Sequence, residues 1–583
     1  MDAETRRGAA AATGAALLVN ELGYGAGPAR RVVVALADPD ERVALRWGRD
    51  GTEVEVPLAA PVRTPGWSVG WHRVGELPPD MPAGEHRLRL VRGDGSEMVR
   101  TVGVGPGRWQ AVAVSDVLAY FRSVRSFGEI DRKDRAAAFY DDPARPPVDA
   151  RGGWLDASGD FSKFLSHLTY TDLMSPQQIP LCAWAFAAAR DDLARAHPRV
   201  AAAQGSRLRD EALHGADFLV RFQAPEGYFY TGIFDALTKD LDERVVTAPL
   251  QDSVRTQRWQ AAFRHGGGVA IAALARASTL DADGEFSRDR YLEAAVRGHA
   301  HLVEHNTDYL FNGVETVLDD YCAALAAAEL VLAARARGAE TAPFRAPLER
   351  RVANLLAAVR HDAAGRAYLV AAPDGRTYHH AAETGLPVLA LLRAAEAVDA
   401  ERPQLADDAR RAAVDLALGA LDRATAVPNP FEHPRHVVAA RGDGSTMEQF
   451  FFPHENETGY WWQGENANVA SLSAAASAAA AVAPAADAGR LRDWAEHLLG
   501  WVVGLNPYAA CMLQGRGSGA VEYSQDFPNL PGGILNGITG GFDDESDIDF
   551  APPGPMATGE SWRWAEQWIP HSAWFLLAVS GAR

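Results

Sequence analysis

Three carboxylates stand in surroundings that suit acid–base chemistry. Asp156 and Asp160 lie four residues apart in GGWLDASGDFSKF, residues 152–164, whose glycines let the backbone turn so that both side chains face one cavity. Glu566 lies near the other end of the chain, among the indole rings of WRWAEQW, residues 562–568, on which a sugar ring would stack. Cleavage of a glycosidic bond needs a carboxylic acid that protonates the leaving oxygen and a carboxylate that activates water. The three carboxylates therefore predict a glycosidase.

A second group of residues has the composition of a sugar-binding site. Its aromatic rings would stack on a pyranose and its amide and acid groups would hydrogen-bond the hydroxyls. Glu465 would also pair with the ammonium group of a 2-amino sugar. We expect at least one of the two adjacent tryptophans to pack in the core. The residues predicted to bind substrate are Trp154, Trp461, Trp462, Gln463, Glu465 and Asn466.

The composition argues against several classes of partner. The net charge of −19 over 583 residues opposes binding to nucleic acid or to an anionic membrane. No apolar stretch has the length of a membrane span, and the N-terminus lacks the basic start and long apolar run of a secretion signal. A cytoplasmic location is therefore expected. The prediction of a glycosidase implies an oligosaccharide substrate as partner, whereas the oligomeric state is not indicated.

Neither a metal nor a cofactor is expected. Cys182 and Cys322 lie in apolar, alanine-rich stretches, which favours buried free thiols over disulfides or metal ligands. The acidic run at 543–549 has the carboxylates that Ca²⁺ prefers, but a solvated loop or a wall beside the substrate is favoured. His454 has no second histidine at the spacing of a zinc site.

The chain is too long for a single ordinary core, and its pattern of apolar and turn-forming residues changes along its length. Residues 1–16 have the composition of a disordered tail. Over 17–106, short apolar runs alternate with Gly, Pro and Asp turns, which predicts a small antiparallel β-sandwich. Over 107–583, Ala/Leu stretches with a period near 3.6 follow one another without a strand pattern between them, which predicts a ring of paired helices. Loops rich in Gly, Pro and aromatic residues would gather at the rim of that ring and line a cleft.

The segment at 152–164 resembles the catalytic-base motif of glycoside hydrolase family 9. In that family's cellulases the two aspartates are usually three residues apart, so Ser158 is an insertion here. The resemblance extends over nearly the whole chain: VNELGY at 19–24 is similar to the opening of the family's N-terminal immunoglobulin-like domain, and GLNP at 504–507 is similar to one of its turns. Glu566, with Ile569 and Ala573, matches the pattern around the family's acid, although Ala565 and Ser572 stand where that pattern has asparagines.

Two longer segments resemble a subgroup of the family. The run that continues from residue 163 to Gln178, and HENETGYWWQGEN at 454–466, are similar to exo-acting enzymes of chitin-degrading bacteria, described as β-glucosidases or exo-β-glucosaminidases. The resemblance implies a mainly α fold, an (α/α)6 barrel with an N-terminal immunoglobulin-like β-sandwich. It also implies that Asp160 is the general base, that Asp156 holds the same water and keeps Asp160 ionised, and that Glu566 is the general acid. Inversion would require the base and the acid to stand roughly 6.5–9.5 Å apart.

Several functions remain open at this point. The leading prediction is an inverting exo-glycosidase that releases glucose or glucosamine from the non-reducing end of β-1,4-linked oligosaccharides. An endo-acting β-1,4-glucanase with an open cleft is the alternative among hydrolases. A non-catalytic sugar-binding protein is the alternative from another class, and retention of all three acids argues against it.

Overall fold

The computed structural model describes residues 14–582 except 26, 28, 50, 373, 440–444, 553 and 555–558. Seven strands form the N-terminal part, in two antiparallel sheets with the strand orders β1-β2-β5 and β4-β3-β6-β7. Buried side chains from both sheets, among them Leu17, Val34, Leu45 and Leu90, share one core, as in a β-sandwich. The strands are β1 (Ala16–Leu18), β2 (Arg31–Leu36), β3 (Val43–Arg49), β4 (Thr52–Val56), β5 (Trp71–Glu76), β6 (Gly84–Arg92) and β7 (Glu97–Val104).

The predicted disordered tail at 1–16 overlaps the start of the sandwich. Strand β1 begins at Ala16, and Ala15 is already buried in the sandwich core, because Ala16 to Leu18 pair with β2. Residues 1–13 of that tail lie outside the described residues.

The sheet β1-β2-β5 is buried on both faces. Successive side chains of a strand point to opposite faces, so Val32 and Val34 enter the sandwich core while Val33 and Ala35 pack against the helical part. Arg31 pairs with Glu432 across this junction at 2.8 Å. The sandwich is therefore packed tightly onto the helical part.

The C-terminal part is built from helices, most of them long. They are α1 (Arg108–Ser123), α2 (Gly128–Asp134), α3 (Ile179–Ala196), α4 (Pro198–Arg221), α5 (Gly268–Ala277), α6 (Arg288–Tyr309), α7 (Val317–Ala336), α8 (Ala342–Ala358), α9 (Leu386–Val398), α10 (Pro403–Ala424), α11 (Asn466–Ala480), α12 (Ala485–Val502), α13 (Trp562–Ala565) and α14 (Ile569–Gly581).

Six of these helices form a closed inner ring. Helices α3, α5, α7, α9, α11 and α14 each pack against the next, and α14 packs against α3, which closes the ring. Each inner helix also packs against an outer helix, and α1, from the start of the helical part, serves as the outer neighbour of α14. The predicted (α/α)6 barrel is confirmed by this arrangement.

The inner helices are buried nearly all round, as their alanine-rich sequences predict. In α7 sixteen of the twenty residues are buried, and they include Cys322. Cys182 of α3 is also buried, and both cysteines are free, as predicted. No described helix combines the length and the apolar composition that a membrane span needs.

Short strands occupy the connections between the helices, although no strand pattern is visible there in the sequence. Each has only two to four residues, too few for a periodic pattern to be visible. They are β8 (Lys163–Phe164), β9 (Phe229–Tyr230), β10 (Gly232–Phe234), β11 (Val245–Val246), β12 (Ala248–Pro249), β13 (Arg255–Thr256), β14 (Gln260–Ala261), β15 (Val359–His361), β16 (Ala367–Leu369), β17 (His436–Ala439), β18 (Thr446–Gln449), β19 (Glu455–Asn456), β20 (Gly459–Tyr460), β21 (Thr539–Gly540) and β22 (Ile548–Asp549).

Candidate active site

The two aspartates lie on a tight loop that precedes the inner helix α3. The amide of Asp160 donates to the carbonyl of Ala157 at 3.1 Å, and the amide of Asp156 donates to the carbonyl of Ser162 at 3.0 Å. Gly159 has a φ of 63°, and a Cβ atom there would lie 2.8 Å from the Cα of Phe527. The left-handed conformation and this close approach both require glycine. The loop therefore has one defined shape, with Asp156 buried and Asp160 partly exposed.

The loop with the aspartates pairs directly with the segment that carries Glu566. Ala157 and Trp568 form an antiparallel bridge, and the amide of Ser158 donates to the carbonyl of Gln567 at 2.9 Å. The amide of Ile569 donates to the carbonyl of Asp156 at 3.0 Å. Segments about 400 residues apart in sequence are thus neighbours in the fold. The ring closure between α14 and α3 makes this possible, since each segment leads into one of these two helices.

Asp156 lies at the bottom of the site, with a relative exposure of 5%. Its carboxylate accepts hydrogen bonds from the indole Nε1 of Trp568, at 3.2 Å to each oxygen, and from the amide of Gln178. Burial raises the pKa of Asp156 well above its usual value, and the charges of Asp160 and Glu566 raise it further. A neutral carboxyl group is therefore favoured at this position.

Asp160 is more open and better able to carry a charge. Its Oδ1 accepts hydrogen bonds from the amide and the hydroxyl of Ser162, both at 2.9 Å. Burial raises the pKa of Asp160, but these two hydrogen bonds act in the opposite direction. Asp235 lies behind Ser162, with 3.5 Å between its Oδ1 and the serine hydroxyl. Among the two aspartates, Asp160 is the one whose ionised form is supported.

Glu566 follows the short helix α13 and has an extended backbone. Its carbonyl accepts from the amide of Asn536 at 2.7 Å, and its Oε2 accepts from the Nδ2 of Asn536 at 3.3 Å. Burial raises the pKa of Glu566 to about 8, and the charge of Asp160 contributes to the rise. Arg563, three residues earlier, forms its ion pair with Glu560. Glu566 is thus a partly exposed carboxyl group that stays protonated at neutral pH.

Trp154 does not lie where a sugar could stack on it, contrary to the prediction. It is fully buried, with its ring against Phe121 and Phe186, and its Nε1 donates to Glu211 at 3.3 Å. The preceding Gly152 and Gly153 both have positive φ, which turns the indole into the core.

Most of the second predicted sugar-binding group is also buried. The ring of Trp462 stacks on His454 with centroids 3.9 Å apart, so the expectation that one tryptophan of the pair lies in the core is confirmed. Glu465 accepts from the amide of Phe452 at 2.9 Å and lies 3.2 Å from the Nε2 of His436. These contacts fix the loop before α11.

The two amides of this group are buried as well. Asn466 donates to the carbonyl of Leu535 at 2.9 Å, and Gln463 is 3% exposed. Trp461 alone among the six predicted substrate-binding residues is partly exposed. Trp154 and Trp462 pack in the core, because a loop's sequence does not indicate which side chains turn inward, whereas substrate binding by the buried Gln463, Glu465 and Asn466 stays a prediction.

Three aromatic residues outside the predicted substrate-binding set are relevant to this region. Tyr460 is 58% exposed, and Trp562 is partly exposed with its ring 6.4 Å from that of Trp461 at an interplanar angle of 30°. Burial raises the pKa of Tyr523, and the charges of Glu566 and Asp160 raise it further, so the phenol lies within electrostatic range of both acids. Trp562 was visible in the WRWAEQW motif, whereas nothing in the sequence around Tyr523 indicated its position.

The acidic run at 543–549 serves local structure. Asp547 accepts from the amide of Ser68 of the sandwich at 2.6 Å, Asp544 accepts from Ser546, and Glu545 accepts from the amide of His454. Within the described ranges, no group of three His, Cys, Asp or Glu side chains is arranged to hold a metal ion.

Comparisons with known proteins identify a family and a shared fold. A family model described as glycosyl hydrolase family 9 matches residues 111–526, which contain Asp156 and Asp160. A metagenome-derived endoglucanase of glycoside hydrolase family 9 has a similar structure, with a TM-score of 0.64 and 16% identity over 97% of this chain and 98% of that one. A single mutant of a thermostable endoglucanase from Alicyclobacillus acidocaldarius gives a TM-score of 0.63 and 15% identity over 97% and 99% of the two chains. The search among curated proteins found no match.

Proposed function

The chain belongs to glycosyl hydrolase family 9, and from that premise we propose that it hydrolyses β-1,4-linked, gluco-configured oligosaccharides with inversion of the anomeric centre. The observation that carries the proposal is that three carboxyl groups lie on two paired segments and influence one another's pKa values. Their surroundings separate their pKa values, and such a separation distinguishes an acid from a base.

In the proposed mechanism Asp160 takes a proton from the attacking water. Its two hydrogen bonds from Ser162 support the ionised form, and Asp156 beneath it holds the proton that the pair of carboxyl groups would otherwise share. Asp156 keeps Asp160 ionised in this way and orients the water. Glu566, with a pKa raised to about 8, protonates the leaving oxygen.

Glu566 lies beyond the residues that the family model matches, so its role rests on the geometry. Two observations support it: the antiparallel bridge beside Asp156, and the rise in its pKa that the charge of Asp160 causes. The same rise supports placing both carboxyl groups in one cavity.

We propose that the enzyme acts from the chain end. The carboxylate of Glu457, on the loop between β19 and β20, accepts from the backbone amides of Asp172 and Leu173 on the loop that precedes α3. Arg376 pairs with the same glutamate at 3.2 Å. This cross-link between two rim loops supports a wall that closes one end of the cleft, as release of a terminal sugar requires.

Tyr460, Trp461 and Trp562 supply the surface on which a sugar would stack in this proposal. Trp461 lies on the same rim loop as Glu457, immediately after β20, and Trp562 lies four residues before Glu566. An aromatic platform between the wall and the acid favours a short oligosaccharide over a flat crystalline surface.

An endo-acting β-1,4-glucanase is the second candidate. The observation in its favour is the similarity over nearly the whole chain to structures described as endoglucanases, although identities of 15–16% show the fold alone. We also propose that the seven-stranded sandwich is immunoglobulin-like and acts as a scaffold, since one of its sheets is buried against the barrel.

A product profile separates these candidates. The purified protein is incubated with cellobiose, chitosan disaccharide, cellohexaose and a cellulose polymer, and the products are resolved over time. Stepwise release of monosaccharide from the hexasaccharide supports the exo mode, and the preferred disaccharide distinguishes glucose from glucosamine. Early appearance of tri- and tetrasaccharides would establish the endo mode. NMR of the first product should show the α-anomer, and a β-anomer would contradict inversion.

A further inference from the structure

Ser158, the inserted residue between the two aspartates, makes hydrogen bonds that reach the segment of the acid. Its hydroxyl accepts from the backbone amide of Gln567 at 2.8 Å and donates to the Oδ1 of Asn529 at 2.8 Å. Its side chain is buried, with a relative exposure of 4%. The serine hydroxyl therefore links the base loop to two other segments at once.

Asn529 completes a bridge around Glu566. Its Nδ2 donates to the carbonyl of Ala565 at 2.8 Å, while its Oδ1 receives the hydroxyl of Ser158. The two residues thus hold the backbone on both sides of Glu566: Asn529 fixes the preceding carbonyl, and Ser158 fixes the following amide. The side chain of Gln567 also binds the segment that contains Asn529. Its Nε2 donates to the carbonyl of Leu530 at 2.7 Å, and its Oε1 accepts from the amide of Leu530 at 2.8 Å.

We propose that Ser158 and Asn529 are positioning residues that set the separation between the base Asp160 and the acid Glu566. The proposal rests on the catalytic roles proposed above. Ser158 stands only two residues before Asp160, so the bridge joins the two carboxyl groups through short lengths of fixed backbone. An inverting enzyme needs a defined gap that admits one water, and a displacement of about 1 Å lowers the rate by up to about 10²-fold.

The test compares Ser158→Ala, Asn529→Ala and the double variant on two aryl β-glycosides. Each single variant should lose about 10- to 100-fold in kcat with a nearly unchanged KM on a phenyl glycoside, whose leaving group needs the acid. A dinitrophenyl glycoside, whose leaving group departs without a proton, should show a much smaller loss. Because the two side chains form one bridge, the double variant should be no slower than the slower single variant within about threefold.

Two reference variants make the result decisive. Ser473→Ala removes a buried hydroxyl that bonds to the carbonyl of Ala495 at 2.8 Å on helices α11 and α12, and it should leave kcat unchanged. Ser158→Thr keeps the hydroxyl and should recover most of the rate. Equal losses on both glycosides, or additive losses in the double variant, would overturn the positioning role.

Glu566→Gln, measured on the same two substrates, separates this proposal from the assignment of the acid. If Glu566→Gln shows the dependence on the leaving group and Ser158→Ala does not, only the bridge is rejected. If Glu566→Gln shows no such dependence, the acid itself is misassigned and the bridge falls with it. If Ser158→Ala fails to fold, Asn529→Ala alone decides, by the ratio of its loss of kcat on the phenyl glycoside to its loss on the dinitrophenyl glycoside.

Discussion

Two clusters in this protein combine carboxylates with tryptophans, and we propose a catalytic role for only one of them. In the cluster around Asp156, Asp160 and Glu566, burial raises the pKa of every carboxyl group, and only neutral hydrogen-bond donors oppose the rise. In the cluster around Glu465 and Trp462, the carboxylate faces His436 and a backbone amide, and the indole is stacked on His454. The first cluster holds two partly exposed carboxyl groups whose charged forms are disfavoured, whereas the carboxylate of the second is buried against a histidine and a backbone amide. Composition alone does not distinguish them, whereas exposure and the pattern of partners do.

The largest effect should come from Asp160→Asn. The amide keeps the shape of the side chain but cannot accept a proton from water, so kcat should fall about 10²–10⁴-fold. Circular dichroism and thermal melting should remain close to the wild-type protein, because the hydrogen bonds from Ser162 can still be accepted by the amide oxygen. Turnover near the wild-type rate would remove Asp160 from the mechanism and leave the two clusters without a functional difference.

The next effect concerns Glu566 and pH. The acid must be protonated to act, so kcat/KM should decline as pH rises through about 8, the raised pKa of Glu566. Glu566→Gln should lower kcat about 10²-fold or more on substrates with poor leaving groups and should abolish this alkaline decline. An alkaline decline that persists in Glu566→Gln would assign it to another group. An unchanged rate would contradict the role of Glu566.

Much of the fold follows from local sequence, but its closure does not. The alanine-rich, all-round apolar sequence of α7 indicates an inner helix, because such a helix must be buried on all faces. The packing of α14 against α3 joins the two ends of the helical part, and no local pattern encodes it. The same closure brings the segment of Glu566 to that of Asp156, so the sequence indicated the candidate catalytic residues while only the fold shows that their segments meet.

The sequence was least informative about the loops. Trp154 and Trp462 were among the residues predicted to bind substrate, yet both indoles turn into the core, as was expected for only one of the Trp461–Trp462 pair. In a helix or strand the period indicates which side chains are buried, but a loop has no period. Tyr523 is the opposite case, a residue that was not predicted but lies within electrostatic range of both acids. Its position depends on a long connection whose path the sequence does not reveal.

A moderate effect is expected from Trp461→Ala. Trp461 is the partly exposed member of the predicted sugar-binding group and lies beside Trp562, so its removal takes away stacking surface. Loss of about 1.4 kcal/mol of binding would raise KM about tenfold with a smaller change in kcat. Trp461→Phe keeps an aromatic ring and should recover most of the affinity. If KM is unchanged in Trp461→Ala, the platform is not part of the substrate site.

The smallest effect on catalysis should come from Glu465→Gln in the buried cluster. Glu465 accepts a hydrogen bond from the backbone amide of Phe452 and lies against His436. Glutamine has only one side-chain oxygen, so one of these two buried partners would lose its acceptor. The free energy of unfolding should fall by about 1–3 kcal/mol, measured by urea denaturation, while kcat changes by less than about threefold. His436→Asn, which alters the other side of the same contact, is the matched variant and should behave alike. A large loss of kcat with unchanged stability in Glu465→Gln would indicate that this carboxylate contacts the substrate. Both clusters would then belong to the substrate site, and the contrast drawn between them would fail.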